Sequence, residues 1–86
     1  MFSPKQFVIA LTNKKQLKKD IDSLIYNDNK DYFLHLDSSS GDYFPAAGFY
    51  AIKLFNSIDE AKFALKYCKQ YGPIICQIAC QAIALY

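Results

Sequence analysis

Few side chains of this 86-residue chain are of a type and spacing to act on a substrate. His35 is the single imidazole and stands just ahead of the hydroxyls of Ser38, Ser39 and Ser40. A base and a nucleophile on a strand and its adjoining loop lack a third orienting group and an oxyanion motif, so no catalytic pair is predicted. Cys68, Cys76 and Cys80 form no CxxC pair. As disulfides they leave one thiol over, and as a zinc site they need a fourth ligand that His35, in a different element, does not supply. They are expected as reduced thiols buried as small hydrophobes, and the apolar run around Cys76 and Cys80 raises a thiol pKa instead of lowering it. No phosphate-binding glycine loop and no carboxylate cluster with metal-ligand spacing occurs. The reading is a non-enzyme with no catalytic residue, no metal and no cofactor.

Residues suited to recognition are better represented. Asp37, Ser38–Ser40, Gly41, Asp42, Tyr43 and Phe44 bring rings, hydrogen-bonding groups and charge into one loop, the composition of adaptable interfaces. Asp37, Asp42, Tyr43 and Phe44 are therefore the predicted protein-binding residues. The competing reading is a hairpin tip whose Tyr43 and Phe44 tuck back onto the core. Residues 27–48 carry Asp28, Asp31, Asp37 and Asp42 against Lys30 alone, so this end is acidic although the net charge is +2. All ten basic residues are lysine. Without arginine the chain lacks the planar fork used for bidentate contacts to guanine or phosphate. The lysine stripes on the two predicted helices are offset by Asp20, Asp22, Asp59 and Glu60, and read as solvated outer faces before they read as a phosphate-binding surface.

The elements that must position these residues follow a βαββαβ order. Gln6–Leu11 is the first strand, and Thr12 or Asn13 then caps a helix predicted to reach about Tyr26. Leu17, Ile21, Leu24 and Ile25 recur on one face of that helix, with Lys14, Lys15, Lys18 and Lys19 toward water. Tyr32–Leu36 is the second strand and Phe49–Phe55 the third. The connection between them is long, and any ladder extension around Asp42–Phe44 is expected to stop at Pro45. Ser57 and Glu60 stand at capping-box spacing, so a helix is predicted from about Ile58 to Tyr71, with Gly72 as its left-handed cap. Its Ala61, Ala64, Leu65 and Cys68 face the sheet and Lys62, Lys66 and Lys69 face away. Residues 74–86 fit a strand and a helix by period alone; the topology asks for a fourth strand.

Gly48-Phe49-Tyr50-Ala51-Ile52-Lys53-Leu54, followed by Phe55-Asn56-Ser57-Ile58-Asp59-Glu60-Ala61, resembles the third strand and second helix of an RNA-recognition motif, with Phe7-Val8 in the place of its other short motif. The resemblance covers about half of the chain. It implies single-stranded nucleic acid as a partner, with Phe7, Phe49 and Lys53 as the binding residues and the two rings stacking on bases. Four departures stand against it: Ala47 replaces the basic residue before the glycine, Ala51 removes the second ring, Phe55 falls one residue late in register relative to Ser57, and Phe7 falls on the buried face of its strand.

The predicted fold is a single α+β domain over residues 1–86, a ferredoxin-like βαββαβ sandwich with a four-stranded antiparallel sheet and two helices on one face. No apolar run is long enough to span a membrane, and the first nine residues lack the pattern of a secretory signal, so a cytoplasmic setting is expected. The dominance of Phe, Tyr, Ile, Asn and Lys over Gly, Ala, Arg and Pro is that of AT-rich codons and points to a low-GC bacterium, its phage or a mobile element. The expected function is a small protein-binding module, such as a phage or mobile-element inhibitor or adaptor of the anti-CRISPR kind acting on a host protein or complex. An RNA-recognition-type binder and a regulatory homodimer are the alternatives.

Overall fold

Alternating apolar residues in Gln6–Leu11 (β1) bury both faces of the strand: Phe7, Ile9 and Leu11 point into one core and Val8 into another. β1 is the middle strand of an antiparallel sheet formed with Tyr32–Leu36 (β2), Tyr43–Ala47 (β3), Pro73–Ala79 (β4) and Ala82–Leu85 (β5), in the order β3-β2-β1-β4-β5. The computed structural model describes residues 6–79 and 82–85. Cys80 lies outside them. Two short helices, Lys14–Asp20 (α1) and Ile58–Ala64 (α2), pack Leu17, Ala61 and Ala64 onto the face that carries Ile9, Leu11, Leu34 and Ile75. The protein is thus α+β, with an antiparallel sheet and both helices on one side. Among the described residues no helix is long and apolar enough to cross a membrane.

The helix starts follow the local chemistry of the chain. Ser57 Oγ accepts from the Glu60 backbone N–H at 3.2 Å, while Glu60 Oε2 accepts from Asn56 N at 3.1 Å, one residue earlier than a reciprocal capping box would have it. Asn13 caps α1 by accepting from Gln16 N at 3.2 Å. Both helices are shorter than predicted. α1 stops at Asp20, not Tyr26, because Ile21 turns extended (φ −98°, ψ 135°) and Asp22 binds the Leu24 N–H with its own side chain at 2.8 Å. Tyr26 instead stacks on Tyr32 at 5.2 Å between ring centroids, and Leu24 and Ile25, predicted as buried, are exposed. Lys14, predicted to face water, is half-buried, with its ammonium 5.0 Å from the centroid of Tyr32 and donating to the Lys30 carbonyl. α2 gives way after Ala64 to two 3-10 turns, Leu65–Tyr67 and Lys69–Tyr71, which Gly72 closes at φ +61°.

The third strand is the main departure from the sequence reading. Phe49–Phe55 is not a regular strand. Ile52 bridges His35 in β2, and Phe55 bridges Phe7 in β1 through a pair of 2.8 Å hydrogen bonds. The ladder partner of β2 is Tyr43–Ala47, with Pro45 inside the strand, not ending it. Asp37 N donates to Asp42 O at 2.9 Å, so hydrogen-bonded pairs alternate along the hairpin and Leu34↔Pro45 falls on a non-bonded pair. Pro45 therefore lacks only an N–H that would face away from the sheet, and its ladder is intact. Residues 74–86, read as one strand or one helix, hold two strands instead: β4, paired with the whole of β1, and β5 returning along it.

The second face of the sheet carries Val8, Phe33 and Cys76, with Ile52, Ile74 and Ile78 packed around them. Phe49 lies over Phe33 at 5.2 Å and Phe44, from β3, lies over His35 at 5.5 Å, so rings from the irregular segment and from the edge strand both cover part of this face.

Candidate functional site

The β2–β3 hairpin tip and the outer side of α2 meet at a cluster of rings. Asp37 builds the tip: its Oδ1 accepts from Ser39 N at 2.9 Å and its carbonyl from Gly41 N at 2.7 Å. The Ser39 N–H on its carboxylate holds the Asp37 carboxyl below the usual carboxylate range. Gly41 at φ +77° then turns the chain so that Asp42 stays in solvent and Tyr43 swings over the helical layer. Tyr43 lies 5.5 Å from Tyr67 and 6.4 Å from Phe55, and burial against them pushes its phenol pKa up.

Phe63 and Tyr67, one helical turn apart, complete the cluster and remain 65% and 53% exposed. Two clefts share Tyr43 and Phe63: one of about 590 Å³ toward Gly41, Asp42 and Tyr67, and one of about 580 Å³ toward Lys53, Phe55, Asp59 and Glu60. Lys66 sits with Nζ 3.8 Å from the centroid of Phe63 and 5.1 Å from that of Tyr67. This is an aromatic surface with carboxylates on its rim, able to bury an anchor side chain and to select its charge.

Of the predicted protein-binding residues, the structure brings Asp42 and Tyr43 into this site. Asp37 shapes it from the turn. Phe44 alternates to the opposite sheet face, where it covers His35. The residues implied by the RNA-recognition resemblance are separated. Phe7 is buried in the helix-covered core at 7% exposure, which corrects its expected role as a stacking ring. Phe49 lies on the other face against Phe33, and Lys53 lies beside Phe55 with Nζ 5.5 Å from its ring. Phe63 and Tyr67 escaped the sequence reading because they interrupt a lysine stripe assigned to solvent. Their signal was an i, i+4 pair of rings, each directly following a lysine, Lys62 and Lys66.

His35 is 2% exposed; its Nδ1 lies 3.0 Å from Phe33 O, and its Nε2 is buried without a hydrogen-bond partner. The described cysteines are free and buried: Cys68 Sγ faces Ala64 O at 3.7 Å, and burial pushes its pKa up to about 11. Burial also raises Cys76. Among the described residues no group of His, Cys, Asp or Glu side chains is gathered to hold a metal ion. A further cleft, of about 540 Å³, runs between the end of α1 and the edge of β3, over Ile21, Ile25, Pro45 and Tyr71. Tyr71 Oη donates to Asp20 Oδ2 at 2.6 Å there, which lowers the Asp20 pKa. Comparison with protein-family models, with curated proteins and with solved structures gave no match.

Proposed function

We propose that this chain is a small, non-enzymatic protein-binding module that engages its partner through the aromatic surface between the hairpin tip and α2. The observation that carries this is the convergence of Tyr43, Phe63 and Tyr67 on an exposed surface. Phe63 and Tyr67 hold rings in water on the side of a helix whose opposite side, Ala61 and Ala64, already supplies the core. Exposed rings beside clefts are what interface anchors look like before the partner arrives. The scaffold is proposed as a ferredoxin-like split βαβ in which residues 52–55, bridging β1 and β2, stand in for the third strand and β3 and β5 are additions at the edges. A phage or mobile-element inhibitor or adaptor working in the cytoplasm on a host protein is the form of this reading that composition favours, and phage or defence genes beside the coding sequence would support it.

The test is quantitative capture with the wild-type chain, a Phe63→Ala/Tyr67→Ala double variant and Phe49→Ala on the opposite face, each checked for an unchanged fold by circular dichroism. A partner held by the wild type and Phe49→Ala but lost by the double variant supports the proposal. A partner held equally by all three, or a single-stranded nucleic acid lost with Phe49→Ala, sinks it. Self-association is a second reading, favoured by the position of β5 at the edge of the sheet and by the absence of any charged residue or proline after Pro73. Sedimentation velocity across a concentration series decides it: a single monomeric species at all concentrations rules it out.

A further inference from the structure

We infer that the anchor taken by the aromatic surface is a lysine or arginine side chain from a basic segment of the partner protein, an inference that rests on the protein-binding reading above. The face of an aromatic ring is negative and its edge positive, so a ring face presented to solvent is matched by a cation. This surface already holds cations from its own chain. The Lys66 ammonium lies 3.8 Å from the Phe63 centroid and 5.1 Å from the Tyr67 centroid. In the cleft toward Phe55 the Lys53 ammonium lies 5.5 Å from the Phe55 centroid.

The surroundings have the same preference. Asp42 lines the cleft toward Tyr67, and Asp59 and Glu60 line the one toward Phe55, where Lys53 is the one cation among the lining residues. All three carboxylates are exposed. A neutral apolar anchor would partly desolvate them without giving them a partner, whereas a basic segment places opposite charge against both the rings and the rim. Glu60 is partly committed, since its Oε2 accepts from Asn56 N at 3.1 Å, which leaves Asp42 and Asp59 as the steering charges. Lys66 is an exposed side chain whose hold on the rings is weak and easily exchanged. It therefore acts as an internal occupant that a partner's cation displaces, and this gives the inference a signature that general stickiness lacks.

The experiment is fluorescence anisotropy of three labelled peptides of equal length with the full chain: one of Lys, Arg, Gly and Ser, one of Glu, Gly and Ser, and a neutral one carrying Leu and Tyr. The basic peptide is expected to bind most tightly and to weaken with salt. Phe63→Ala and Tyr67→Ala should each weaken it by about fivefold or more. Asp42→Asn and Asp59→Asn should slow association. Lys66→Met, which keeps the apolar stem and frees the ring faces, should tighten binding by about two- to fivefold. Lys62→Met makes the same charge change on α2 at a lysine that, unlike Lys66, does not lie over the Phe63 and Tyr67 rings, and should tighten binding less. Lys66→Met that weakens binding, or matches Lys62→Met, overturns the inference. So does failure of the basic peptide to bind. A neutral peptide that binds best and is lost in Phe63→Ala overturns the cation anchor while leaving the protein-binding reading standing; that reading falls only with the capture comparison.

Discussion

Of the three glycines, only Gly72 combines a left-handed conformation with a crowded Cβ position. At φ +61° it occupies a conformation that side chains with a Cβ rarely adopt, and a Cβ there would lie 2.7 Å from Thr12 Oγ1. Thr12 Oγ1 cannot simply step aside, because it donates to the Gly72 carbonyl at 2.7 Å while Asn13 N donates to Tyr71 O at 2.7 Å. Gly72→Ala is therefore expected to lose at least about 1–2 kcal/mol from the left-handed conformation alone, with the crowding at Thr12 adding to it. Urea denaturation checks this; a loss below about 0.5 kcal/mol would mean that the turn relaxes freely. Thiol chemistry is also decided residue by residue. With Cys80→Ser as background, Cys68 and Cys76 should react with Ellman's reagent only after unfolding, because both thiols are buried and their pKa values are raised. Stoichiometric labelling of the native chain would contradict this burial.

The elements are short, and their stability comes from packing and caps. α1 has seven residues, too few to persist alone, and is held by the fully buried Leu17 and by the contacts of Thr12 and Asn13 with the Tyr71–Gly72 turn. Leu17→Ala should cost about 2–5 kcal/mol as a cavity-forming change in the helix-covered core. Ser57→Ala removes one side-chain acceptor from the start of α2 and should cost about 1 kcal/mol, read as a lower urea midpoint with an unchanged slope. If Ser57→Ala is neutral, the Glu60 carboxylate reaching Asn56 N is holding that helix start by itself.

At the scale of the whole molecule, two carboxylates among the described residues link folding to acid. Asp20 is lowered by the Tyr71 hydroxyl and by Gln16, and Asp37 by the Ser39 N–H and its neighbours in the turn, both from an ordinary value of 3.8. A carboxyl depressed in the folded state binds its proton first in the unfolded chain. Its stabilisation is thus complete above pH 3.8 and is lost as the pH falls through the lower folded value. Asp20→Asn should lower the melting temperature at neutral pH, and its gap from the wild type should close as the pH is taken from about 5 to about 2. A gap that stays constant would remove the Tyr71–Asp20 hydrogen bond from the account. Tyr71→Phe should show the same closing gap, since it deletes the donor to the same carboxylate.

What the sequence determined by itself is local. The helix start at Thr12 or Asn13, the cap at Ser57, the left-handed turn at Gly72, the strands 6–11 and 32–36, and the inward face of Ala61, Ala64 and Cys68 follow from hydrogen bonds and periods that close within a few residues. The end of α1 joins a local cause, the Asp22 side chain on the Leu24 N–H, to a tertiary one, the stacking of Tyr26 on Tyr32. The choice of Tyr43–Ala47 over Phe49–Phe55 as the partner of β2 was decided by tertiary structure: a proline is harmless only once its neighbours fix which side of the strand faces the ladder. The site followed suit. Tyr43 and Asp42 were legible as a loop with rings and charge, but their meeting with Phe63 and Tyr67 needs the hairpin to fold over α2, across a separation in the chain that no local pattern encodes.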